Sequence, residues 1–130
     1  LEGLALVYKG GTSVKLTGKG KPLTVKPGAR FVIGRSTNAA KNFGAKIDYV
    51  QTQVAMSNSG ATLDIKLGKV VIDAVKYTKS SVTLGVALQL SLSKIDAKSN
   101  DDIKSWCLAT KGYGTSGLKG TPGTENLPCK

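Results

Sequence analysis

The first two thirds of the chain read as successive short β-type runs, and Lys46–Val54 and Thr62–Leu67 among them alternate apolar and polar residues with period two, as strands with one wet and one dry face do. Leu4 to Tyr8 and Ser13 to Thr17 are short β-type runs joined by Lys9-Gly10-Gly11-Thr12, a glycine pair suited to a hairpin turn. Gly18-Lys19-Gly20-Lys21-Pro22 interrupts the pattern before Leu23-Thr24-Val25 and a Lys26-Pro27-Gly28 turn. Arg30 to Ile33, Lys46 to Val54, Thr62 to Leu67 and Lys69 to Tyr77 continue the series. The clearest expected strand is Ser81 to Ser93. Val82, Leu84, Val86, Leu88, Leu90 and Leu92 share one parity there, and Thr83, Gly85, Ala87, Gln89, Ser91 and Ser93 the other. That second face is small or uncharged, which suits solvent or a ligand laid flat on a sheet.

The pattern changes at Ser99. Ser99-Asn100-Asp101-Asp102 fits a helix start, with Ser99 as N-cap, Asp102 at the capping-box position and acids near the positive end of the dipole. Ile103, Trp106, Cys107 and Thr110 then fall on one helical stripe, and Gly112 is a natural stop. From Tyr113 to Lys130 the chain is rich in Gly, Thr, Pro and Ser and has almost no apolar period. The expected architecture is α+β in one domain: an N-terminal hairpin and mainly antiparallel sheet over 1–98, a short helix over 99–112, and an irregular tail over 113–130.

Composition narrows the chemistry. The 130 residues are 40% hydrophobic, enough for a folded core. No apolar run reaches the roughly 18 residues that span a bilayer, and no basic-then-apolar leader opens the chain, so no membrane partner is expected. The absence of His excludes Ser/His/Asp and Cys/His catalytic sets and the commonest zinc ligands. The eight acids are scattered except Asp101-Asp102, leaving no spaced carboxylate pair. An enzyme, a bound cofactor, a metal site and a small-molecule substrate are therefore not expected. The net charge of +11 comes almost wholly from lysine, Arg30 and Arg35 being the two arginines. Ammonium groups suit diffuse attraction to a polyanion, and equally a solubilising surface.

Individual residues carry paired readings. The glycines match neither a dinucleotide nor a Walker pattern and read as turn residues. Gly18-Lys19-Gly20-Lys21 could touch phosphates or be a solvated turn. Arg35, at a strand end, could clamp a phosphate or sit in solvent. Tyr49 could stack on a nucleobase or be buried. Trp106 reads as a core or interface anchor. Cys107 and Cys129 enclose a Gly/Pro-rich segment; an intrachain bridge, an intermolecular bridge and free thiols all remain open.

The order of elements, with Leu4 to Thr17 as hairpin, Arg30 to Ser36 and Lys46 to Val54 as neighbouring strands, and Val82 to Ser93 leading to Ile95 through Asp102, resembles the coat proteins of single-stranded RNA bacteriophages (leviviruses). The resemblance covers about three quarters of the chain. It implies a non-enzymatic subunit that forms a homodimer with a continuous antiparallel sheet, packs helices over it, assembles into an icosahedral shell and packages a single-stranded RNA genome. It also implies translational repression through an operator hairpin, and residence in a virion assembled in the bacterial host cytoplasm. RNA-facing positions carried over on this basis are Arg35, Lys46 and Tyr49 from earlier strands and Thr83, Gln89 and Ser91 from the last. The tail departs from the family, whose members usually have two substantial C-terminal helices.

A second reading is an extracellular fimbrial or pilin-like structural subunit. Trp106-Cys107 and Leu127-Pro128-Cys129-Lys130 resemble the disulfide-bounded end of type IV pilins, although the long apolar helix with which such subunits polymerise is not in this sequence. A third is a monomeric β-sheet module for an acidic glycan or nucleic acid, with its strand edges protected.

Overall fold

The computed structural model describes residues 1–130 except 9, 10, 54, 115 and 116. The expected turn at Gly10 and the end of an expected strand at Val54 lie outside the described residues. The molecule is mainly antiparallel β. Its largest sheet has four strands in the order β2-β1-β5-β6: β1 (Leu4–Tyr8), β2 (Thr12–Lys15), β5 (Gly60–Leu67) and β6 (Val70–Thr78). Between β2 and β5 lie the two-residue strands β3 (Ile33–Gly34) and β4 (Tyr49–Val50), which pair in parallel.

The expected N-terminal hairpin forms, with Leu6 opposite Val14 and Tyr8 opposite Thr12. Strand β1 then pairs on its other side with β5, placing Leu6 beside Ile65 and Tyr8 beside Leu63. The β5–β6 hairpin closes through Gly68-Lys69; Gly68 takes φ +58°, a left-handed conformation that costs a glycine little. A bulge after Ile65 shifts the register, so Ile65 faces Asp73 while Lys66 faces Val71.

These registers put Leu6, Tyr8, Val14, Leu63, Ile65, Val75 and Tyr77 on one face. Leu6, Tyr8, Val14 and Tyr77 are buried there, and Leu16 just beyond β2 is 2% exposed. The opposite face carries Lys15, Asp64, Lys66 and Lys76 and is the wet one, with Lys66 Nζ 3.3 Å from Asp64 Oδ2. The segments 17–58 and 79–130 cover the apolar face incompletely. A cavity of about 560 Å³ lies against Leu6, Leu63 and Ile65 on one side and Phe31, Ile33 and Met56 on the other. A second, of about 430 Å³, lies among Leu63, Val75, Tyr77, Leu88 and Trp106.

Several expected elements are corrected: Leu23–Val25 forms no strand, Arg30–Ile33 and the described part of Lys46–Val54 shrink to the two-residue strands β3 and β4, and two longer segments change character. The long strand over Ser81–Ser93 is broken into a 3-10 turn (Lys79–Ser81), the three-residue strand β7 (Leu88–Leu90) and a second 3-10 turn (Leu92–Lys94). Gly85 at φ +75° ends the alternation, and Leu84 is left 87% exposed. The segment pairs with the C-terminal region and not with the main sheet: Ala87 N–H donates to Lys119 O at 2.8 Å, and Lys119 N–H to Gly85 O at 2.9 Å.

The helix over 99–112 does not form. Single 3-10 turns occupy Ser99–Asp101 and Ile103–Ser105, after which strand β8 (Trp106–Leu108) pairs antiparallel with β7. Asp102 does cap, but only the second turn, its carboxylate accepting from Lys104 N–H at 2.9 Å. A helix through residue 107 would forfeit the ladder with β7, in which Gln89 faces Cys107. The tail holds two further short strands, β9 (Gly112–Tyr113) and β10 (Leu118–Lys119), paired with each other. Among the described residues no helix is long and apolar enough to cross a membrane.

Candidate functional site

Polar and covalent ties concentrate in the C-terminal third. Cys107 on β8 is disulfide-bonded to Cys129, 22 positions later, with Cα atoms 5.7 Å apart. Of the three cysteine readings, the intrachain bridge is the one present. It brings the chain end back across β7, where Gln89, only 6% exposed, donates from Nε2 to Leu127 O at 2.7 Å. The neighbouring backbone is held by Asn126, which donates from Nδ2 to Leu90 O at 2.9 Å and accepts from the Thr121 hydroxyl at 2.7 Å.

This platform is tied to the main sheet through Trp106 and Asn100. The indole Nε1–H donates to Asn100 O at 2.7 Å, and Asn100 Nδ2 donates to Asp73 Oδ2 on β6 at 3.1 Å. The Ser105 hydroxyl donates to Ser99 O at 2.7 Å and closes the double turn between them. Trp106 is thus an anchor, as its side chain suggested, but on a strand.

Against the platform leans the loop 38–46. The Asn38 carboxamide oxygen accepts from Ala40 N–H at 2.9 Å and Lys41 N–H at 3.4 Å, an Asx-type turn, and Gly44 N–H donates to Ala39 O at 2.9 Å. That tight turn holds Phe43 at φ +52°, left-handed for a bulky residue, and the residue is 43% exposed. Gly114, at φ +64°, meets this loop so closely that a Cβ on it would lie 2.3 Å from Phe43 O. Between the two runs a cleft of about 320 Å³, lined by Phe43, Lys46, Lys111, Tyr113 and Pro122 among others. Tyr113, Gly120 and Pro122 also border a hollow of about 370 Å³ that reaches Leu88, Trp106 and Asn126.

The expected RNA-facing residues do not converge. Arg35 lines the 560 Å³ apolar cavity, and Lys46 lines the cleft beside Phe43. The Tyr49 hydroxyl accepts from Thr17 N–H at 3.3 Å, and its ring centroid is 6.3 Å from that of Phe31, so its contacts are structural. Thr83 forms an isolated bridge with Val86, Gln89 is interior, and the Ser91 hydroxyl lies 3.4 Å from that of Ser93. Phe43, Lys111 and Tyr113 were not singled out from the sequence. The run of glycines at 112, 114, 117 and 120 was the signal available for them, close approach being required at Gly114 and Gly120.

Two titrating groups are displaced. Burial raises the Tyr77 phenol above its ordinary value, with the phenol of Tyr8 adding to the effect. The exposed Asp96 carboxyl is lowered by hydrogen bonds from Ser99 and the adjoining backbone. Among the described residues no group of three His, Cys, Asp or Glu side chains is placed to hold a metal ion. No family model, curated protein sequence or solved structure matches the chain.

Proposed function

We propose that the chain is a structural subunit of an extracellular, pilin-like fibre, without enzymatic activity. The observation that carries this reading is the Cys107–Cys129 bridge, which ties the chain end to β8, with Asn126 and Leu127 hydrogen-bonded to β7. Disulfides persist in oxidising compartments and are rare in a reducing cytoplasm. The bridge occupies the segment whose residues resemble the disulfide-bounded end of type IV pilins. A coat-protein-like dimer, with helices layered over a continuous sheet, draws less support, because the segment expected to supply its helix is two single turns and a strand.

Immunogold electron microscopy on cells of the source organism, with serum raised against the purified chain, tests the proposal. Labelled fibres at the cell surface are expected, together with a monomer band whose gel mobility shifts on reduction. Labelling confined to closed particles that contain RNA would overturn the reading in favour of the coat protein. Labelling confined to the cytoplasm would overturn both.

A further inference from the structure

The cleft between the 38–46 loop and the β9–β10 hairpin combines three features that a solvated surface does not call for. Phe43 is an aromatic residue left 43% exposed, and its backbone sits at φ +52°. Such a conformation costs about 1–3 kcal/mol in a residue other than glycine and persists where surrounding structure enforces it. Here the Asn38 turn on one side and the close approach of Gly114 on the other supply that enforcement. Facing the same space are two ammonium side chains, Lys46 and Lys111, from opposite walls, and a second aromatic, Tyr113. No carboxylate lines the cleft, and neither lysine makes an ion pair among the described residues. Asp48, two residues from Lys46, accepts from Val32 N–H at 2.9 Å, and Glu125 is paired with Arg30 at 3.5 Å.

We infer that this cleft binds a nucleoside phosphate, either free or as one unit of a single-stranded nucleic acid. Every nucleobase presents a π-face, and stacking on an aromatic side chain is worth about 1–3 kcal/mol per base. Phosphate supplies the negative charge that two unpaired ammonium groups attract, with counterion release adding to affinity. The cleft volume of about 320 Å³ is at the small end of ligand sites, which suits a single nucleotide and not a folded duplex. The glycine-lined wall leaves backbone within reach of the ligand. This inference does not depend on the fibre reading, since it rests on the side chains of one chain alone.

The test is fluorescence anisotropy with a labelled ten-nucleotide single strand at low salt. Competition by unlabelled mononucleotides separates the two sources of the ligand, and competition by inorganic polyphosphate measures charge alone. Phe43→Gly is the decisive variant, because glycine adopts φ +52° without strain: thermal stability should hold or rise while affinity falls about tenfold or more. Lys46→Gln with Lys111→Gln should reduce the slope of log affinity against log salt by about 1.4, which is 0.7 for each lost phosphate contact on a single strand. Displacement by mononucleotide at the affinity of the oligonucleotide identifies the free nucleotide as sufficient. Undiminished affinity in Phe43→Gly, or polyphosphate competing as well as the oligonucleotide, would overturn the inference. So would absence of binding to any of these probes.

Discussion

At the scale of single residues, the glycines are legible in sequence as turn formers but not in what they make room for. Gly114 and Gly123 both lie at positive φ, +64° and +75°. A Cβ on Gly123 would meet only Val32 Cγ2 at 3.5 Å, an ordinary contact, whereas one on Gly114 would lie 2.3 Å from Phe43 O. Gly123→Ala should therefore cost about 1 kcal/mol, the left-handed penalty for an L-residue. Gly114→Ala adds a clash with a backbone atom that only a shift of the 38–46 loop can relieve, and should cost about 2–3 kcal/mol. Urea titration of the two variants side by side measures the difference. Equal losses would mean that the loop and the hairpin do not touch at Gly114. Gln89 makes the same point from the opposite direction: its polar parity on an apolar strand suggested a wet face, yet its amide is spent on Leu127 O inside the molecule.

At the scale of elements, the period-two signal was reliable for the strands of the main sheet and misleading elsewhere, Lys46–Val54 alternating as well although only Tyr49–Val50 of its described residues is strand. The β1–β2 hairpin and the β5 and β6 runs form as expected because short turns close them locally. The Ser81–Ser93 run shows as strong an alternation but a glycine at φ +75° interrupts it, and its partners lie some twenty to thirty residues further on. The 99–112 segment had acceptable caps and a helical stripe, and lost to a cross-strand ladder and a covalent bond that local sequence does not display. The cleft was half legible: Lys46 was named, while Lys111 comes from the segment read as a helix, Tyr113 from the one read as a tail and Phe43 from the 38–46 loop. The bridge that decides this region should be worth about 3 kcal/mol for a loop of its length. Replacing both cysteines by serine is expected to lower the denaturation free energy by about that amount. Hydrogen exchange should localise the change, with faster exchange in β9, β10 and the 120–128 segment and little change in β1, β2 and β5. Uniform acceleration across the main sheet would show that the platform and the sheet unfold as one unit.

At the scale of the whole molecule, stability carries contributions from the charge of +11 and from the burial of Tyr77, and alkaline pH acts on the second. Tyr77 is 7% exposed and joins β6 to the segment before β5: its hydroxyl donates to Ser57 O and accepts from Ser57 N–H, both at 3.1 Å. Burial penalises the phenolate, so the folded state holds this proton more tightly than the unfolded chain does. The stabilisation is fully present below the ordinary phenol value of 10.0 and is lost as pH rises through the higher folded value. The net positive charge of the molecule acts on its stability as well, through self-repulsion. Comparison of the native chain with Tyr77→Phe separates the two contributions. At neutral pH the variant should be less stable by about 1–2 kcal/mol, since it leaves the Ser57 backbone groups without their partner. Between pH 9 and 11 the native chain should lose thermal stability relative to Tyr77→Phe, so that the gap between their melting temperatures narrows. A gap that stays constant across that range would show that the Tyr77 proton is held no more tightly in the folded protein than in the unfolded one.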